Sequence, residues 1–218
     1  GKAIENSGID RKEIFLTSKV WIEHFGYEEC KKSVLESVEK LRTDYLDLML
    51  LHQPFGDTYG AWRALEELYK EGKFHAIGIS NHYTDRMVEF ANFTNIKPMV
   101  NQILLHISNT PMELVEYCQK NGIAVEAYSP IAHGEILNQP EIKTMADKYG
   151  VTVPQLCIRY TLQLGTITLP KTGNPDHMKS NAEVDFKINA EDMEILKNFK
   201  KIESYGESGI FPVYGGKM

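Results

Sequence analysis

Short apolar runs alternate along this chain with longer stretches of helical periodicity. The most apolar run, residues 44–54, leads through leucines and a methionine to His52 and then Pro54. Strands that are apolar on both faces are typical of parallel sheets covered by helices. His52 is therefore expected at the carboxyl end of a buried strand, where parallel α/β folds bind their ligands.

The same alternation predicts strands that are joined by helices, most of them crossover connections. The predicted strands are residues 14–18, the run that ends at His52, and residues 76–80, 99–103, 123–128 and 166–170. The predicted helices are residues 27–41, 58–71, 84–93, 111–122, 140–149 and 152–165, followed by helices that begin at residues 174–175 and 189 and by an irregular, glycine-containing tail. Two starts have capping-box patterns, Thr110 with Glu113 and Thr152 with Gln155.

This βα repeat belongs to the α/β class and favours a closed (β/α)8 TIM barrel. No strand is followed by a G-x-G-x-x-G turn, which disfavours a dinucleotide-binding open sheet. A barrel needs eight strands, so two βα units are unaccounted for and are expected before Gly1. The chain opens like the tail of a helix closed by Gly8, which agrees with that expectation.

We therefore expect residues 1–218 to form a single, partial barrel domain. Its two open strand edges, at the Ile14 and Thr166 strands, would make these residues alone fold poorly.

Composition restricts the class of partner. The 218 residues carry a formal net charge of −6, so neither nucleic acid nor an anionic membrane is an expected partner. No apolar segment is long enough to span a bilayer. The three cysteines are widely spaced in helical patterns, which indicates reduced thiols and a cytoplasmic location.

Polar residues gather where the strands end. They are Lys19, Trp21, His52, Ser80, Asn81, Gln102, Tyr128, Ser129, Lys171 and Thr172. Each has an ordinary explanation alone: a surface lysine, a core histidine or a core aromatic residue. Because a parallel barrel brings all its strand ends to one rim, together they predict a single pocket. Residues 169–175 add either an anion site at a helix start or simply a capped helix, and both interpretations stay open.

Six motifs in order resemble the aldo-keto reductase family, in particular its small bacterial diketogluconate and methylglyoxal reductases. They are residues 17–21 (TSKVW), 44–54 (DYLDLMLLHQP), 78–81 (GISN), 100–102 (VNQ), 127–130 (AYSP) and 169–172 (LPKT), and they cover nearly the whole chain. The resemblance implies NAD(P)H-dependent reduction of small aldehydes, ketones or dicarbonyls, with the cofactor across the barrel mouth.

The resemblance also implies residue roles. Lys19 would lower the pKa of a catalytic tyrosine, His52 would orient the carbonyl, and Trp21 would wall the substrate pocket. The cofactor residues would be Ser80, Asn81 and Gln102 at the carboxamide, Tyr128 stacked on the nicotinamide, and Ser129, Lys171, Thr172, His177 and Asn181. No metal site is predicted.

Two departures from the family pattern keep alternatives open. No position here matches the family's catalytic tyrosine or its aspartate, and His177 stands where the family usually has an arginine beside the 2′-phosphate. A histidine lacks the arginine's planar fork, so NADPH is expected and NADH remains an option. One alternative is a nucleotide-binding regulatory barrel without turnover, and another is a barrel enzyme for a phosphorylated metabolite. The protein is expected to act on small carbonyl compounds as a monomer or weak dimer.

Overall fold

The chain forms two compact units, residues 1–102 and residues 103–218. The structure, a computed structural model, describes residues 1–203 and 205. Strand β4 crosses the boundary between the units. That residues 1–218 act as one domain stays a prediction.

The first unit is a parallel βα repeat. Its elements are α1 (Lys2–Ser7), β1 (Thr17–Val20), α2 (Tyr27–Leu41), β2 (Leu46–Leu51), α3 (Thr58–Lys70), β3 (Phe74–Ser80), α4 (Thr84–Phe93) and β4 (Val100–Leu104), with 3-10 turns at Arg11–Glu13 and Ile22–His24. Each strand pairs in parallel with the next, β1 with β2, β2 with β3 and β3 with β4. Parallel pairing places the carboxyl ends of these strands at the same edge.

The second unit continues the alternation. Its elements are α5 (Met112–Lys120), β5 (Ala124–Tyr128), a kinked 3-10 segment (Ala132–Asn138), α6 (Pro140–Lys148), α7 (Val153–Gln163), β6 (Ile167–Leu169), α8 (Pro175–Ala182) and α9 (Ala190–Lys197). Strands β5 and β6 pair in parallel, with Tyr128 opposite Leu169.

The core of the first unit lies around β2, every residue of which is buried. Leu48 and Leu50 pack against Val100, and β3 passes between them at Gly78. A Cβ at Gly78 would lie 2.6 Å from the Val100 carbonyl oxygen and 2.7 Å from Leu50 Cδ2. Only glycine therefore lets β3 approach β4 this closely.

Among the predicted boundaries that differ from the structure, two have a clear physical cause. The first strand begins at Thr17 and not at Ile14, because the Asp47 carboxylate takes the Leu16 N–H at 2.8 Å before regular pairing starts. Thr110 does not cap α5, since its hydroxyl donates to the His106 carbonyl and shares a hydrogen bond with Tyr160. Helix α5 begins one residue later than predicted, after Pro111.

Other local predictions are confirmed. Thr152 and Gln155 form the capping box of α7, and Gly8 closes α1 in the left-handed conformation at φ 69°. Asn174 and Asn189 cap α8 and α9 through their side chains. The predicted irregular tail lies mostly outside the described residues. None of the three cysteines is part of a disulfide, and all three are buried. Within residues 1–203 and 205, no helix has both the length and the apolarity needed to cross a bilayer.

Candidate active site

One face of the first unit's strands carries most of its predicted site residues. Side chains alternate between faces, and the register sets Lys19 beside Leu50 and Leu50 beside Gly78. Two residues further along, the same face continues through His52 and Ser80, and Ser80 lies beside Gln102. The packed side chains of Leu48, Leu50 and Val100 form the apolar floor beneath. A row of polar groups on an apolar floor is a usual composition for a small-molecule site.

His52 is the central group of this row. Its backbone N–H donates to the Val20 carbonyl at 3.0 Å, which fixes the strand end. The Trp21 ring contacts the imidazole edge to face, with ring centroids 4.9 Å apart. Burial, and to a smaller extent the positive charge of Lys19, lower the pKa of His52 to about 4. His52 is therefore a neutral imidazole near pH 7, able to donate one hydrogen bond without bringing a charge.

Ser80, Asn81 and Gln102 lie together where β3 and β4 end. The Ser80 hydroxyl donates to the Gln102 carbonyl at 2.9 Å, and the Asn81 N–H donates to the same oxygen at 2.9 Å. The Asn81 amide nitrogen donates to the His52 carbonyl at 3.2 Å, so this group is joined to the end of β2. Asn81 adopts φ 61°, a left-handed conformation that asparagine tolerates better than most residues. The structure brings Lys19, Trp21, His52, Ser80, Asn81 and Gln102 to one edge of the unit, as predicted.

In the second unit, Tyr128 is the last residue of β5 and is half-buried. Its carbonyl accepts the Leu105 N–H at 3.5 Å. Ser129 turns the chain at φ 51° and accepts the Ala132 N–H through its carbonyl at 2.9 Å. Since β5 and β6 are parallel, Lys171 and Thr172 leave β6 at the same edge of this unit.

A cavity of about 400 Å³ lies beyond β6 in the second unit. Its lining residues are Pro170, Lys171, Thr172, Met178, Asn181 and Ala182. Lys171 supplies a cation, Thr172 a hydroxyl and Asn181 an amide, beside the apolar Met178 side chain. His177, also predicted here, is exposed and is not among the residues that line this cavity.

At the helix start beside this cavity, side chains already accept hydrogen bonds from backbone N–H groups that the predicted anion site would need. The Asp176 N–H donates to the Asn174 side chain at 2.9 Å, the Asn174 N–H donates to Thr172 Oγ1 at 3.1 Å, and Pro175 has no N–H. The capped-helix interpretation is therefore the one the structure supports at these N–H groups. Thr172 still has a hydroxyl hydrogen to donate, because it acts as the acceptor towards Asn174.

Gln53 belongs to the first group but was not predicted from the sequence. It directly follows His52, is fully buried, and accepts from the Asn81 amide nitrogen at 3.3 Å. A polar residue next to the candidate histidine, at the end of an apolar run, was the signal that could have revealed it.

Comparison with known proteins places this geometry in a family. The model of the aldo/keto reductase family matches residues 1–201. A glyoxal reductase of Bacillus subtilis is 42% identical over 208 residues, which is 94% of this chain and 75% of that protein. An aldo-keto reductase from a Medee basin deep-sea metagenome library has a solved structure with TM-score 0.90 and 34% identity, over 99% of this chain and 80% of the other. A Bombyx mori aldo-keto reductase solved in complex with NADP has TM-score 0.86 and 28% identity, over 98% of this chain and 78% of the other.

The chain belongs to the aldo/keto reductase family. The predictions that the chain belongs to this family and that the protein is an oxidoreductase are confirmed. The parallel α/β strands of both units agree with the predicted fold class, at the level of the family's barrel. The nicotinamide cofactor predicted for this family agrees with the NADP held by the solved relative.

Proposed function

We propose that this protein reduces small aldehydes, ketones or dicarbonyls, with NADPH as the reductant. The observation that carries the proposal is the shared face of Lys19, His52, Ser80 and Gln102 above an apolar floor. NADPH, when bound, supplies the hydride. The residues of the chain bind and orient the reactants and stabilise the charge that develops on the carbonyl oxygen.

His52 and Lys19 are proposed to act on that oxygen. A neutral imidazole donates a hydrogen bond to the carbonyl without competing for the proton of the reaction. The ammonium of Lys19 lowers the pKa of His52, so the two groups are close enough to share one electrostatic environment. A cation beside the reacting oxygen favours its anionic form. Trp21, in ring contact with His52, is proposed to wall the substrate pocket.

The cofactor residues fit the chemistry of NADPH. A carboxamide offers one acceptor and one donor group, and Ser80, Asn81 and Gln102 supply hydroxyl and amide groups at one strand edge. We assign the nicotinamide ring to Tyr128 and an adjoining contact to Ser129. In the second unit, the lysine and hydroxyl of the cavity suit a phosphate, and the amide of Asn181 suits adenine.

The preference for NADPH over NADH is proposed to depend on Lys171 and Thr172. His177 is exposed and is assigned a weaker part. The proton donor and its aspartate partner are assigned to no residue of this sequence, because no position matches the family pattern.

The proposal is tested on the full-length protein, by NADPH binding and turnover in the same preparation. Binding is followed by quenching of tryptophan fluorescence, and turnover by loss of NADPH absorbance with glyoxal, methylglyoxal and a panel of aldehydes. We expect binding, turnover, and a loss of turnover of about 100-fold or more in Lys19→Met and His52→Ala. The controls Lys12→Met and His24→Ala change exposed residues of the same unit and should leave turnover unchanged.

Two results would decide against the proposal. Binding of NADPH without turnover of any carbonyl compound would favour the regulatory nucleotide-binding alternative. Absence of NADPH binding would favour an enzyme for phosphorylated metabolites, since a cation and a hydroxyl suit any phosphate.

A further inference from the structure

Gln53 makes an unusual set of contacts for a fully buried glutamine. Its Oε1 accepts from Asn81 Nδ2 at 3.3 Å, while its Nε2 has no hydrogen-bond partner among the described residues. A buried amide donor without a partner carries a desolvation cost. The hydrogen bond that Gln53 Oε1 accepts from Asn81 is therefore made in spite of the desolvation cost at Gln53 Nε2.

The orientation of this amide follows from a backbone group. The His52 carbonyl only accepts hydrogen bonds, so Asn81 must turn Nδ2 towards it, at 3.2 Å. Gln53 must then offer Asn81 its oxygen, because two amide nitrogens facing each other would repel. The His52 carbonyl therefore determines the orientation of the Asn81 amide, and Asn81 in turn determines the orientation of the Gln53 amide.

These two bonds occupy the donor atom of the Asn81 side chain. An amide nitrogen has two hydrogens, and here the carbonyls of His52 and Gln53 take both. The backbone of Asn81 is held separately, by its N–H bond to the Gln102 carbonyl at 2.9 Å. Rotation of the Asn81 side chain is thus opposed by two long hydrogen bonds, and Gln53 supplies one of them.

We propose that Gln53 is a positioning residue of the nicotinamide site: it occupies the second hydrogen of the Asn81 amide, so that Asn81 presents Oδ1 to the NH₂ group of the cofactor's carboxamide. This inference rests on the proposed function and extends it to a residue that does not touch the cofactor. Asn81 acts as an acceptor, and the site selects for a carboxamide over groups that lack the NH₂ donor.

The test uses a cofactor analogue and a binding readout. In the 3-acetylpyridine analogue of NADPH, a methyl group replaces the carboxamide NH₂, so the donor for Asn81 is lost. Dissociation constants for NADPH and for the analogue are measured by tryptophan fluorescence, and their ratio gives the analogue penalty. A general loss of folding or stability would alter both constants together, whereas a loss of positioning alters the ratio.

In Gln53→Met, which keeps the shape of the side chain and removes its polar atoms, we expect the NADPH dissociation constant to rise about fivefold, the value of one neutral hydrogen bond. The constant for the analogue should change less than twofold, so the penalty falls. Gln53→Glu keeps an acceptor oxygen in either protonation state and should retain the native penalty. The control Gln119→Met removes a glutamine of the second unit, whose amide nitrogen donates to the Leu164 carbonyl at 2.8 Å and to the Gly165 carbonyl at 3.5 Å, and should leave both constants unchanged.

If the methionine variant does not fold, Gln53→Asn serves in its place, because it withdraws the oxygen by one methylene and stays polar. An unchanged penalty in Gln53→Met or Gln53→Asn, with NADPH still bound, would overturn this inference and leave the proposed function standing. A Gln53→Glu variant that behaves like methionine would also overturn it. If the native protein does not bind NADPH, the proposed function fails and the inference fails with it.

Discussion

Acid should destabilise the first unit through His82, and the structure gives the size of the effect. His82 is 2% exposed and its Nδ1 lies 3.0 Å from the Ser80 carbonyl. The pKa of His82 is lowered to about 4, mainly by burial. The hydrogen bond to the Ser80 carbonyl raises the pKa, and the Arg86 charge lowers it. In the unfolded chain the pKa of a histidine is about 6.5.

The sign follows from proton binding. Between pH 6.5 and 4 the unfolded chain holds a proton at this position and the folded chain does not, so the stability falls as the pH is lowered through this window. Linkage with these two pKa values gives a loss of about 2 kcal/mol in the free energy of unfolding between pH 7 and pH 5. Against a typical total of about 5–15 kcal/mol, this contribution is large enough to measure.

The variant His82→Asn isolates this contribution, because its Nδ2 takes roughly the place of the imidazole Nδ1 and does not titrate. Denaturant unfolding at pH 7 and pH 5 should show a difference between the two pH values that is about 2 kcal/mol smaller in the variant than in the native protein. Tryptophan fluorescence reports on the right unit, since both tryptophans, Trp21 and Trp62, lie within it. His24→Asn, at an exposed site, should keep the native pH dependence. An identical pH dependence in His82→Asn and the native protein would refute the reasoning, whatever cavity the substitution leaves.

Three further predictions concern packing, an ion pair and the cofactor phosphate. Gly78→Ala should lower the free energy of unfolding by roughly 1–3 kcal/mol and weaken NADPH binding, because the added Cβ would meet the Val100 carbonyl. The control Gly173→Ala, with open space around it, should do neither. Equal effects of the two substitutions in thermal melts would contradict this account. Asp192→Asn should lower the free energy of unfolding in denaturant by about 1–3 kcal/mol, because the buried carboxylate accepts hydrogen bonds from Lys148 and Tyr149. Loss of the exposed Glu141–Lys200 pair in Glu141→Gln should cost close to nothing. Similar losses in the two variants would be evidence against this prediction. Lys171→Met should raise the dissociation constant for NADPH by roughly tenfold and leave that for NADH unchanged in fluorescence titrations, and a parallel rise for both would exclude a role at the extra phosphate.

The sequence was informative about the candidate site because strand ends are encoded locally. The apolar run into His52 and the alternation of faces were enough to place Lys19, His52 and Ser80 on one side of the strands. Helix starts were predicted correctly where one side chain determines them, as at Thr152 and Asn174. These features depend on residues a few positions apart.

The features that the sequence did not predict depend on contacts between residues that are distant in sequence. Nothing in residues 14–16 indicates that the Leu16 N–H is taken by Asp47, which shortens the first strand. The failed cap at Thr110 has the same origin, because its hydroxyl is shared with Tyr160, fifty positions away. Gln53 was missed for this reason as well: its partner, Asn81, lies at the end of the next strand.

The residues at the two ends of β2 have different roles in the first unit. At the amino end Asp47 binds the Leu16 N–H, Arg11 at 2.9 Å and His75 at 3.2 Å, and these contacts hold the strand to its neighbours. At the carboxyl end His52 faces the candidate site. The two positions are five residue steps apart along the strand, or roughly 16 Å at about 3.3 Å per residue. Groups that far apart without shared partners contribute almost independently. Fold stability can therefore depend on the Asp47 contacts while His52 stays neutral and half-buried, a combination suited to binding a ligand.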